Sequence, residues 1–135
     1  MKIVFNAHRT NLGNTGGCRT IVKSAQALKG LGHDVVIVAR RNRYTWEKVK
    51  TVSKIPKCDA CVAVSVLDIP STLDAKAKKR AIWLRGWEKF LMPRKRMIRN
   101  LKKIAVIVNS SGLKKKLEKH GIRATVCLAG VDAGE

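Results

Sequence analysis

Acidic residues are scarce in this 135-residue chain: nine Asp and Glu stand against 29 Lys and Arg, a formal net charge of +20. So large an excess says nothing about fold, but it makes the surface attractive to polyanions such as nucleic acid, anionic headgroups or phosphorylated substrates. Aromatics make up only 4% of residues, which removes most of the stacking platforms a single-stranded nucleic-acid binder would use. No apolar run approaches the ~18 residues needed to span a bilayer, and the opening Met1–Phe5 is too short for a signal-peptide core. The expectation is a cytoplasmic protein. The four cysteines lack the second ligand pair of a zinc site, since His8, His33 and His120 are dispersed. Cys58 and Cys61 open an apolar run rather than a helix, which fits buried thiols better than a redox pair. No Walker loop is present either.

What is there is alternation. Lys2–Asn6, Val35–Ala39, Ala60–Val66, Ala81–Leu84, Ile104–Val108 and Thr125–Leu128 read as short strands, with Thr51–Ile55 a further one. Cys18, Ile21, Val22, Ala25, Leu28 and Leu31 recur at helical spacing, and Gly30 and Gly32 end that helix. A second helix is expected from Pro70 or Ser71 through Lys79. A third has Pro93 in its first turn and runs to about Lys103. A fourth is capped by Ser110 and reaches His120, with Gly121 as the stop and Ile122 folding back onto Leu117. Strands and helices in turn define an α/β fold: a single Rossmann-like domain over residues 1–135, its doubly wound sheet mainly parallel. In such sheets ligands bind outside the carboxyl ends of the strands. That rule nominates the loop after Asn6, the segment after Leu84, the helix start at Ser110 and the end at Gly130–Asp132.

The loop Gly13-Asn14-Thr15-Gly16-Gly17 runs straight into the first helix, where glycines admit a ligand and free N–H groups suit a phosphate. It lacks the spacing of the dinucleotide fingerprint, and Arg40-Arg41 stand after the second strand in place of the usual acidic residue. Those arginines keep an NADP-binding reductase fragment open as a reading, since they could accept a 2′-phosphate.

Taken in order, this loop, the helix closing on Gly32-His33-Asp34-Val35, the Val108-Asn109-Ser110-Ser111 segment with Leu113, Leu117 and Gly121, and the final Gly130-Val131-Asp132 resemble one known group. They are similar to the amino-terminal half of retaining, family-4-like glycosyltransferases built from two facing Rossmann-like domains (the GT-B fold). The resemblance implies an enzyme, a hexosyltransferase-like protein moving a sugar from a nucleotide-sugar donor to a hydroxyl acceptor, with the donor as substrate and no cofactor. The acceptor would be a glycan or glycolipid, lipid-linked or lipopolysaccharide. It implies that Gly16, Gly17, Arg85, Glu88 and Ser110 line a cleft between domains. Most donor contacts, including a Glu-x7-Glu motif, belong to a second domain absent from these residues, so the chain alone is expected to be inactive. Family members often carry a histidine where Arg85 stands, and this difference leaves the catalytic residues unassigned. Asp59, Asp68 and Asp74 read as strand-end or helix-start residues rather than a general base.

Between Lys89 and Lys116 no acidic residue occurs. Arg94, Lys95, Arg96, Arg99, Lys102 and Lys103 give the third helix a basic side, and Met97, Ile98 and Leu101 an apolar one. Two roles stay open for it: peripheral attachment at the inner, anionic membrane face, or a packed surface helix with a solvated basic side. A basic module binding nucleic acid or anionic lipid is the remaining alternative function.

Overall fold

The computed structural model of the chain describes residues 1–86 and 92–127. Seven strands form one sheet: β1 (Lys2–Asn6), β2 (Asp34–Val38), β3 (Thr51–Val52), β4 (Cys58–Ala63), β5 (Ala77–Leu84), β6 (Ala105–Val108) and β7 (Ala124–Val126). Their order is β3-β2-β1-β4-β5-β6-β7 and every pairing is parallel. The helices are α1 (Gly16–Gly30), α2 (Ile69–Leu73), α3 (Arg94–Leu101) and α4 (Ser111–Glu118). The Rossmann-like α/β reading is therefore correct.

Alternation along each strand sorts residues between two layers. Phe5, Val35, Ile37 and Trp83 pack with Ile21, Val22 and Ala25 of α1 on one face. Ile82, Leu84, Val106 and Val108 pack with Met97 and Leu101 of α3 and Leu113 and Leu117 of α4 on the other. Val4, Val38, Cys58 and Cys61 form a third cluster on that second side, closed by Ile55 and Ala75.

Caps explain where the helices begin and end. The Thr15 and Ser110 hydroxyls accept from the N–H groups of Cys18 and Leu113, three residues on, so α1 starts two residues earlier than apolar spacing alone suggests. At the far end of α1 the His33 N–H bonds the Leu28 carbonyl and the Gly32 N–H that of Lys29, with Gly32 at φ +93°. The same pair of bonds, Ile122 to Leu117 and Gly121 to Glu118, stops α4 with Gly121 at φ +75°. These are Schellman closures, and the left-handed residue in each is glycine because a Cβ would be strained there.

Three elements differ from expectation, the first being the strand foreseen over 60–66, which runs over Cys58–Ala63 and leaves Val66–Asp68 as a short 3-10 turn. The helix foreseen over 70–79 is a five-residue α2, and Ala77–Arg80 belong to β5. This first half of β5 pairs with β4 only, whereas Ala81–Leu84 also pair with β6, so its flank is solvated and tolerates Lys78, Lys79 and Arg80. The strand foreseen over 51–55 is cut to Thr51–Val52, because Ile55 turns down to cover the third cluster.

The cysteine pair lies within β4, both thiols buried. Burial pushes the Cys58 thiol up and that of Cys61 up to about 12, so neither is poised as a thiolate. Cys127 is exposed. Under native conditions iodoacetamide is expected to alkylate Cys127 first, with Cys58 and Cys61 modified only on unfolding. Peptide mapping that found Cys61 labelled as fast as Cys127 would contradict this burial.

Candidate functional site

The order in which strands are added reverses between β1 and β4: β2 and β3 are laid down on one side of β1, β4 to β7 on the other. Ligand crevices of open α/β sheets lie at such a point, beyond the carboxyl ends of the strands. Here that point is built by a buried polar knot. Asn6, ending β1 with no exposed surface, donates from Nδ2 to Ser71 Oγ at 2.8 Å and Thr72 Oγ1 at 2.9 Å, while its Oδ1 accepts from the His8 N–H at 3.0 Å. Asp68, equally buried, accepts from the Arg9 N–H at 2.7 Å, the Thr10 N–H at 3.3 Å and the Thr10 hydroxyl. Burial raises the Asp68 carboxyl above its usual range, while the Thr10 hydroxyl and the two N–H groups oppose the rise.

From this knot the glycine-rich loop is laid down in order. Leu12 exchanges backbone bonds with Arg41 and Arg43, the Asn11 Oδ1 accepts from the Arg41 N–H, and Asn14 bonds Thr45 through both ends of its amide. Asn11 itself takes a left-handed φ of 63°, a conformation its short amide tolerates. The loop is thus held against the β2–β3 connection before any ligand arrives. Thr10, Gly13, Thr15, Cys18, Arg41 and Arg43 are among the residues lining a cleft of about 380 Å³ there. A Cβ on Gly13 or Gly16 would meet nothing within 4 Å, so these glycines leave open space at the start of α1.

Of the residues singled out from the sequence, the structure brings Gly17 and Arg85 together. The Arg85 guanidinium donates to the Gly17 carbonyl at 2.6 Å and the Val64 carbonyl at 3.2 Å, and its Cζ stands 5.4 Å from the Trp83 ring centre. Arg85 is thus a strap joining the end of β5 to α1 and to the chain just after β4. Ser110 leaves β6 on the same edge, since Leu84 and Val108 are paired, and its hydroxyl caps α4. Glu88 and Gly130–Asp132 lie outside the described residues.

On α3 the six cations Arg94, Lys95, Arg96, Arg99, Lys102 and Lys103 are exposed. Met97 and Leu101 are fully buried in the core with Ile98 packed beside them, so the apolar side of this helix is engaged inward. What it can offer a membrane is charge, with no apolar wedge. Among the described residues no helix is long and apolar enough to cross a membrane, and no group of three His, Cys, Asp or Glu could hold a metal.

The Asn6–Asp68 knot escaped sequence reading. Its one signal is a polar residue ending a continuous apolar strand, and its partners lie more than 60 positions away. Arg43 was missed because its place in the cleft depends on how the two loops pair.

Comparison with known proteins gives no matching family, no matching curated protein and no matching solved structure.

Proposed function

We propose that this chain is the acceptor-side, amino-terminal domain of a glycosyltransferase that uses a nucleotide-sugar donor. The observation that carries the reading is the glycine-rich start of α1, preformed and open at the carboxyl edge of the sheet beside the reversal of strand order. The order β3-β2-β1-β4-β5-β6 is that of nucleotide-binding sheets generally, and the resemblance of the Gly16-Gly17 loop, the Ser110 segment and their spacing narrows this to sugar transfer. In this reading Gly13 and Gly16 give an acceptor hydroxyl or a diphosphate close approach to the α1 backbone. Arg41 and Arg43 supply positive charge to the same cleft, and Arg85 keeps Gly17 in place. Asp68 is not the general base: it is buried and occupied by three donors. A cleft so preformed orients reactants rather than supplying acid–base chemistry.

A second reading, NADP binding, draws on Arg41 and Arg43 flanking the loop after β2. One titration separates the two. In ¹⁵N-labelled protein, oligosaccharide or glycolipid acceptors and sugar nucleotides are expected to shift amides of Gly13–Cys18 and the Ser110 segment, with NADPH leaving them in place. Saturable shifts with NADPH alone would transfer the site to the reductase reading, and shifts with neither would remove the proposal. Gly16→Val is expected to change stability by no more than about 0.5 kcal/mol, because its Cβ enters open space, yet to weaken acceptor binding about tenfold. Equal loss of fold and binding would show that the glycine serves packing.

A further inference from the structure

A concentration of charge faces a cavity at the opposite end of the sheet from the crevice. Lys2, Lys57, Lys76, Lys78 and Arg80 surround a cleft of about 630 Å³ beneath the amino ends of β1, β4 and β5, with Asp59 as its acid. That volume lies within the roughly 300–1,000 Å³ of small-molecule sites.

The geometry makes this more than a scatter of surface lysines. Lys78 and Arg80 alternate at the start of β5, a spacing that directs them to one side of the strand about 6.6 Å apart, and Lys76 stands immediately before it. Arg80 is held in place: its Nε and Nη2 donate to the Ala75 carbonyl at 3.1 and 2.6 Å, bonds that do not involve Nη1. Asp59 offsets part of the field, since its carboxylate accepts from the Lys2 N–H at 2.7 Å and pairs with Lys78 at 3.5 Å, and the other cations of the lining remain in excess. A neighbouring cleft of about 470 Å³ shares Lys57 and Lys76 and adds Lys54, with Asp74 as its acidic residue.

We propose that this cleft binds a compact ligand carrying two or more phosphate groups, at a site separate from the crevice at the carboxyl ends of the strands. A concave site with convergent cations matches clustered phosphate oxygens, each of which Lys meets as a point charge and Arg through a fixed fork. No Phe, Tyr or Trp lines either cleft and no ring at all lines the larger one, so recognition there rests on the phosphates. The phosphates can belong to a free oligophosphate or to the headgroup of a phosphorylated lipid.

The probe is tripolyphosphate, titrated calorimetrically into the full chain against sodium chloride of equal ionic strength. Lys76→Ala with Lys78→Ala, both exposed, is expected to weaken binding about tenfold or more, while Lys95→Ala with Arg96→Ala on α3 changes it less than twofold. Equal losses from the two pairs would overturn the site in favour of diffuse charge. So would inorganic phosphate binding as tightly as tripolyphosphate. Vesicles containing phosphoinositide bisphosphate settle the source: binding displaced by tripolyphosphate and lost in the Lys76/Lys78 pair assigns a lipid headgroup to the cleft. Vesicle binding insensitive to both leaves the free oligophosphate as its ligand, provided the calorimetric result holds. A single-stranded oligonucleotide that binds through these lysines undisturbed by tripolyphosphate would replace the proposal with a nucleic-acid surface. Because the amides reporting on the cleft, Lys2, Lys57 and Lys76–Arg80, are remote in sequence from Gly13–Cys18, this site and the glycosyltransferase crevice stand or fall separately.

Discussion

Replacing Asp68 with alanine is expected to remove about 2–4 kcal/mol of stability, because it deletes a fully buried acceptor that holds two backbone N–H groups and the Thr10 hydroxyl. Urea unfolding of the two proteins measures it as a lower midpoint at unchanged slope. A loss under about 1 kcal/mol would mean that water readily replaces the carboxylate, and that the knot does not anchor the loop after β1. The effect carries a pH signature. Burial holds the Asp68 carboxyl above its unfolded value, so the native state keeps the proton to higher pH than the unfolded chain. The stabilisation from this group is therefore fully present below the unfolded value, about 3.9, and declines as pH rises through the raised native value. Protonated, Oδ2 can donate to the Thr10 oxygen in place of accepting from it, so the contact survives the change. The stability gap between the native protein and Asp68→Ala is expected to be wider near about pH 4 than near pH 7. A gap that grew with pH would reverse the assignment.

Met97→Ala gives the second large effect, about 2–5 kcal/mol, since Met97 has no exposed surface and sits among Ile82, Leu84 and Leu117. The same substitution separates two roles for α3. If its apolar side faces the core, stability falls and residual binding of the folded variant to anionic vesicles is unchanged. If it enters a membrane, vesicle binding falls and the unfolding midpoint hardly moves. The structure favours the first outcome. Charge reversal at Arg94 and Lys95 then tests the electrostatic remainder, and its effect on vesicle binding should fade with added salt.

Local rules carried the sequence reading where the chemistry is local. Thr15 and Ser110 announce helix starts because a hydroxyl reaches an N–H three residues on, and Gly32 and Gly121 announce stops because the closure needs a positive φ. Continuous apolar runs such as Val35–Val38 mark strands covered on both faces. The reading failed at β5, whose charged first half looks like a solvated helix until its one-sided pairing with β4 is known. It gave the place of Asp68 at a helix start but not its task, because the groups it serves belong to a loop 58 and 59 positions earlier. For Arg85 the resemblance implied a cleft-lining place, and only its distances reveal a strap between three elements. The basic cleft at the amino ends was invisible because Lys2, Lys57 and Lys78 meet only once β1, β4 and β5 are aligned.

The two outermost strands have a bearing on how the molecule behaves in a crowd. β3 is two residues long and β7 three, so among the described residues neither margin of the sheet presents an extended ladder of unpaired amides on which another chain could build. Lys50 and Lys54 flank the first and Arg123 precedes the second, and copies approaching margin to margin meet like charge before they meet backbone. A sheet that would otherwise be open at both ends is in effect closed to self-templating, and the chain is expected to remain dispersed at concentrations where longer, neutral margins would nucleate fibres.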